Sequence, residues 1–173
     1  MFRVRAEFRE DLEVGANLRV VRAFFGDLGN FVRLMPGVES IREEAGGVVC
    51  WSVCVSVGLV GKMRGQFRIK QTDNRPSRLE WEPAIDEQKN LLRYAVSFEE
   101  RAPSRTFVRV AERVELRRLS ATELHLMAGL VGERRINEGM QERVTSMMKT
   151  YLERARLQLE GSRPPGSTSS ASR

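Results

Sequence analysis

At 173 residues, with 41% hydrophobic and 30% charged side chains, the chain has the size and composition of one soluble globular domain with a sizeable core. No apolar run approaches the roughly 20 residues that span a bilayer. The N-terminal stretch FRVRAEFRED alternates charged and apolar residues, unlike a signal or transit peptide, so a cytoplasmic location is expected. The net charge of +6 is carried almost wholly by arginine, with lysine only at Lys62, Lys70, Lys89 and Lys149. These cations are dispersed and interleaved with glutamate, and no nucleic-acid-binding motif is present, so no nucleic-acid partner is expected.

In chain order, Phe2, Val4, Ala6 and Phe8 alternate with charged residues and predict a half-buried strand over 2–9. The spacing then becomes helical: Val20 or Val21, Phe24 or Phe25, Leu28 and Phe31 recur on one face. Gly26 and Gly29 interrupt this run, which predicts one helix to about 25 and a short second one to about 34. Pro36 prevents continuation and Gly37 permits an unusual backbone angle, leaving Val38 exposed just after the break.

Six further strands follow. Residues 38–45 lead to Gly46-Gly47, which reads as a two-residue hairpin turn. Over 48–57, Val49, Trp51, Val53, Val55 and Val57 share a face. GLVG (58–61) turns the chain into 62–70, where Met63, Phe67 and Ile69 point in and Lys62, Arg64, Arg68 and Lys70 point out. DNRPS (73–77) reads as a loop. Leu79 and Trp81 mark a strand over 78–83. Leu92, Tyr94, Val96 and Phe98 mark one over 90–100, and Val108, Val110, Val114 and Leu116 mark the last, over 106–118. SATE (120–123) is a capping-box signature. It opens a helical region whose first part is loosened by Gly129, Gly132 and Gly139. From Ile136 onward Met140, Val144, Met147 or Met148, Tyr151, Ala155 and Leu159 form one apolar stripe of a long amphipathic helix. The domain is thus expected over 1–160, with 161–173, GSRPPGSTSSASR, a disordered tail.

Cys50 and Cys54 lie on one face of a strand, about 13 Å apart at roughly 3.3 Å per residue, too far for a disulfide, which needs Cα atoms within roughly 7 Å. With His125 as the sole histidine, neither a metal site nor a Cys-His nucleophile is expected, and no cofactor motif is present.

The order of strand, two short helices, six strands and long helix resembles the START-like superfamily, also called SRPBCC or helix-grip proteins and including polyketide cyclases. The pair LMPGVESI and WSVCVSVGLVGKMRGQFRIK is most similar to the G-subunit family of carbon monoxide dehydrogenase. DLGNFVRLMP is also similar to the polyketide-cyclase and coenzyme-Q-binding branches. The resemblance implies an α+β helix-grip fold, a seven-stranded antiparallel sheet curled around the C-terminal helix. It further implies a cavity for a lipid, quinone, isoprenoid or polyketide-like molecule. The superfamily holds carriers, sensors and a minority of enzymes. A protein partner, such as a redox enzyme needing an assembly factor, or a membrane surface reached through the basic residues, stays open. Residues 161–173 hold no large apolar side chain, unlike the membrane-attaching tail in which members of the G-subunit family often end.

Glu112 is the anomaly among the candidate site residues. It shares the inward parity of Val108, Val110, Val114 and Leu116, and a buried unpaired carboxylate costs several kcal/mol. It is either a polar anchor or acid/base in a ligand cavity, or a residue paired with arginine or flipped outward by a bulge. Trp51, Trp81 and Tyr94 are expected to face the interior, as ligand-stacking rings or as core. Met127, Met140, Met147 and Met148, with Tyr151 on the same helix, supply an adaptable apolar wall or ordinary core. His125 has no readable catalytic partners. The row Lys62, Arg64, Arg68, Lys70 is either a headgroup-binding face or a solvated one. The expected activity is binding or carriage of a hydrophobic molecule; the rival is a cyclase/aromatase-type reaction through Glu112.

Overall fold

The computed structural model describes residues 1–125 and 128–161, except for the side chain of Leu59. The alternation that starts the chain extends past the predicted 2–9. Strand β1 runs from Phe2 to Val14 because Leu12 and Val14 continue the inward parity past Phe8. Helices α1 (Leu18–Gly26) and α2 (Gly29–Leu34) follow, broken where the two glycines predict. Asn17 caps α1, its side-chain oxygen accepting from Val20 N at 3.0 Å. Val21, Phe25 and Phe31 take the inward positions and are fully buried, whereas Val20 is 46% exposed.

At Gly37 the backbone has φ +92°, and a Cβ there would lie 2.9 Å from the Cys54 carbonyl oxygen. Glycine is required by both the left-handed angle and the close approach. The turn buries Val38, against the exposure expected of it, because the chain folds back onto the sheet and the Cys54 amide donates to Gly37 O at 2.8 Å. Strands β2 (Val38–Glu43) and β3 (Val48–Val57) are joined by a 3₁₀ turn at Ala45–Gly47, one residue longer than the predicted two-residue hairpin turn. β4 (Gly61–Arg75), β5 (Arg78–Pro83), β6 (Asn90–Ala102) and β7 (Arg105–Arg118) complete the sheet. β4 runs through most of the expected 73–77 loop, and the chain reverses only at 76–77.

All seven strands form one antiparallel sheet in the order β1-β7-β6-β5-β4-β3-β2. After β7 comes a 3₁₀ turn (Ala121–Glu123). The Glu123 carboxylate accepts from Leu119 N at 3.0 Å, and the Ser120 hydroxyl contacts Thr122, so the expected capping box does not form. A short helix, α3 (Ala128–Val131), breaks at Gly132, whose φ is +87°. Then α4 (Glu133–Gly161) crosses the concave face, with its stripe from Ile136 to Leu159 buried, including both Met147 and Met148. The polar edge of α4 closes the exposed edge of β1. Asn137 Oδ1 accepts from Arg5 N at 2.7 Å, Gln141 Oε1 accepts from Glu7 N at 2.9 Å, and Gln141 Nε2 donates to Glu7 O at 2.7 Å. Side-chain amides thereby satisfy backbone groups that an edge strand otherwise offers to another chain.

The convex face is laced with ion pairs, among them Arg113–Glu7 and Arg117–Glu115. Arg64 and Arg68 of the predicted outward row do point outward, to Glu39 and to Glu44 with Asp86. Cys50 is buried and Cys54 half-buried, both free thiols. Among the described residues no helix is long and apolar enough to cross a membrane, and no three His, Cys, Asp or Glu side chains gather as metal ligands. Met127 and the 162–173 part of the expected tail lie outside the described residues.

Candidate functional site

Strand β5 is the reason the interior is not uniformly filled. It pairs with β4 only from Ile69 onward and with β6 only through Arg78–Trp81. At the Asn90 end of the sheet, β4 and β6 therefore face each other with no strand between them. Asn90 bridges the gap, its amide donating to Gln66 O at 2.8 Å. Behind this gap, between the concave face and α4, lies a cavity of about 90 Å³. Its wall is mostly apolar: Trp51 and Val53 from β3, Met63 and Phe67 from β4, Val114 from β7, and Met140, Val144 and Met147 from α4.

Gly65 helps to make the room. It takes the inward place between Met63 and Phe67, both large side chains of the same face. A Cβ added there would meet the Phe67 ring at an ordinary 3.5 Å, so nothing in the backbone demands glycine.

Glu112 stands on the cavity wall, its inward parity kept without a bulge and in register with Tyr94 and Phe8. It is half-buried on that lining, and no arginine among the described residues pairs with it. Burial alone pushes its pKa up to about 8. The group is therefore mainly neutral at pH 7 and can donate a hydrogen bond.

The sequence-predicted residues divide. Trp51, Glu112, Met140 and Met147 meet on the wall. Trp81, Tyr94 and Tyr151 do not, although each is buried: Phe31 of α2 packs against both tyrosines, and Trp81 against Tyr94. The Phe31 ring stacks on Tyr151 at 4.3 Å between centroids, and meets Trp51 at 4.8 Å and Tyr94 edge-on at 5.1 Å. Trp81 packs behind Tyr94 at 5.5 Å. Burial raises the Tyr94 and Tyr151 pKa values far beyond the phenol range, so both hydroxyls stay protonated. Trp51 Nε1 and both tyrosine hydroxyls find no hydrogen-bond partner among the described residues. His125 is not on the wall.

Sequence reasoning missed the polar rim of the cavity, formed by Arg64, Asn90, Arg118 and Arg143. Arg143 was detectable: it lies between Met140 and Val144, at the boundary of the apolar stripe. Gly65 was detectable too, as the one small residue in an inward series. Arg118 and Asn90 come together only through the β6–β7 register, which pairs Asn90 with Leu116.

No family model matches the chain, and no curated protein matches it. Solved structures do. The Zhui aromatase/cyclase from Streptomyces sp. R1128 superposes with a TM-score of 0.61 at 13% identity, over 94% of this chain and 99% of that one. A START superfamily protein from Mycobacterium smegmatis gives 0.58 at 14% identity, over 88% and 98%. The di-domain aromatase/cyclase StfQ of the steffimycin biosynthetic pathway gives 0.60 at 8% identity over 91% of this chain, which spans about half (51%) of its length. At such identities the likeness shows the fold and nothing finer: the chain has the α+β helix-grip fold of START-like and aromatase/cyclase proteins.

Proposed function

We propose that this protein binds a hydrophobic small molecule carrying a polar group, in the cavity between sheet and α4, without transforming it. One observation carries the reading: an otherwise apolar wall holds a single unpaired carboxyl, Glu112, that burial keeps protonated. A neutral acid inside a greasy cavity is suited to donate to a carbonyl or hydroxyl oxygen of a lipid, quinone, isoprenoid or polyketide-like ligand. The enclosed volume of about 90 Å³ is below the roughly 300–1,000 Å³ of pockets for drug-sized ligands. One ring or a short branched chain fits inside, and anything larger extends past the rim. A closer kinship with the G-subunit family of carbon monoxide dehydrogenase rests on the Pro36-Gly37 break and the VSVGLVGKMRG run.

A cyclase/aromatase-type reaction is the second reading. It is favoured by the Glu112 pKa of about 8, close to the operating pH that general acid–base catalysis prefers. Turnover of a polyketide-like substrate that vanishes in Glu112→Gln would establish it.

The binding reading is tested by native mass spectrometry of the purified protein, followed by organic extraction and by titration with the neutral fluorophore N-phenyl-1-naphthylamine. A stoichiometric apolar ligand or saturable probe uptake, abolished in Gly65→Leu, is the expected result. A folded protein that retains nothing and takes up no probe refutes it.

A further inference from the structure

Two guanidinium groups line the cavity rim with no anion among the described residues to receive them. Arg118 is anchored by neutral oxygens alone: Nη1 donates to Arg117 O at 2.7 Å and Lys89 O at 3.3 Å, and Nη2 donates to Asn90 Oδ1 at 2.8 Å. Those bonds fix the orientation of the guanidinium and leave its charge uncompensated. Neighbouring arginines on β7 differ: Arg109, Arg113 and Arg117 each face a carboxylate at 3.5, 3.3 and 2.7 Å. Arg143 reaches the rim from α4, and its Nε is buried with no acceptor. Leaving a buried charged donor unmet is costly. The third rim arginine, Arg64, is already engaged by Glu39 at 3.0 Å. Among the described residues, Glu112 is the sole acidic group on the wall, and it is neutral at pH 7. The cavity thus presents two uncompensated positive forks above an apolar interior.

We propose that Arg118 and Arg143 form a clamp for the carboxylate of an acidic amphiphile whose chain or ring fills the cavity below. The proposal rests on the hydrophobic-ligand reading and narrows it from apolar molecules in general to carboxylic acids. Guanidinium donors match the two oxygens of a carboxylate in plane, and charge-assisted bonds of this kind are about twice as strong as neutral ones. Phosphate shares part of that chemistry and is the competing head group.

The test is calorimetric titration of the full chain with octanoate, octanol and octyl phosphate, in the unmodified protein and in Arg118→Gln and Arg143→Gln. Octanoate is expected to bind tighter than octanol and to weaken with ionic strength. Each substitution is expected to lower octanoate affinity by roughly ten-fold while leaving octanol affinity unchanged, which also reports that the variants are folded. Equal affinity for octanoate and octanol, octanoate affinity indifferent to salt, or octanoate affinity unmoved by both substitutions overturns the clamp and leaves the apolar cavity standing. Tighter binding of octyl phosphate than of octanoate overturns the carboxylate assignment. If none of the three binds the unmodified protein, the hydrophobic-ligand reading itself fails.

Discussion

Toward α2, the space between sheet and α4 is packed solid with rings: Phe31 lies among Trp51, Tyr94 and Tyr151, with Phe25 and Trp81 behind. Toward Asn90, the same sheet and the same helix enclose a cavity bordered by a glycine, methionines and a carboxyl. Glu112 pairs in register with Tyr94, so the boundary between the two halves falls across one rung of the β6–β7 ladder. The difference shows that a helix-grip interior need not be a pocket throughout. One half supplies stability through interlocked aromatics, which frees the other to keep unfilled space and an unpaired acid.

The sharpest way to break that division is Phe31→Ala. Removing a fully buried ring is expected to cost about 3–5 kcal/mol, read as a lowered midpoint in urea denaturation. It is also expected to merge the two halves, so that the variant takes up bulkier neutral probes than the parent does. A parent-like stability would mean that the aromatic half is not the structural one.

Next in size is the pH response of Glu112. Its folded pKa, about 8, lies above the ordinary carboxyl value of 4.5, so the folded state holds the proton more tightly than the unfolded state does. The associated stability is complete below about 4.5 and is lost as pH rises through 8. Between pH 6 and pH 9 the loss is roughly 2–3 kcal/mol, at about 1.4 kcal/mol per pH unit. Glu112→Gln is expected to flatten this slope in denaturation curves recorded across that range. An unchanged slope would place the carboxyl in contact with bulk water.

Met147→Ala sharpens the comparison from the cavity side. Its wall already lacks neighbours on one face, so the cost is expected near the lower limit of the usual 2–5 kcal/mol range, below that of Phe31→Ala in the same assay. Smallest is Tyr151→Phe. The hydroxyl has no partner among the described residues, and removing an unsatisfied buried polar group is expected to change stability by less than about 1 kcal/mol, toward stabilisation. A clear destabilisation would reveal a hidden partner for that oxygen.

The strand alternation and the helix stripe were legible because each depends on residues only two to four positions apart. The parity that singled out Glu112 in the sequence is the parity it keeps on β7, and the stripe from Ile136 to Leu159 is the face that α4 buries. Trp81, Tyr94 and Tyr151 were legible as inward but not as hidden from the cavity. That outcome depends on where α2 docks Phe31, a contact between elements far apart in sequence. The capping box failed for a local reason: Glu123 turns to the Leu119 amide, and the segment becomes a 3₁₀ turn before the helix proper. The rim escaped notice because Arg118 resembles any other arginine of an alternating strand until register sets Asn90 beside it.

Gly65 gives the cavity a property of another kind. Its backbone is unstrained and its absent side chain points into free space bounded by the Phe67 ring. A substitution there narrows the cavity, which Glu112 also lines, without straining the backbone. The free space in this scaffold is therefore adjustable at one position, by graded steps from alanine to valine to leucine. Descendants of such a protein can reshape their interior without refolding.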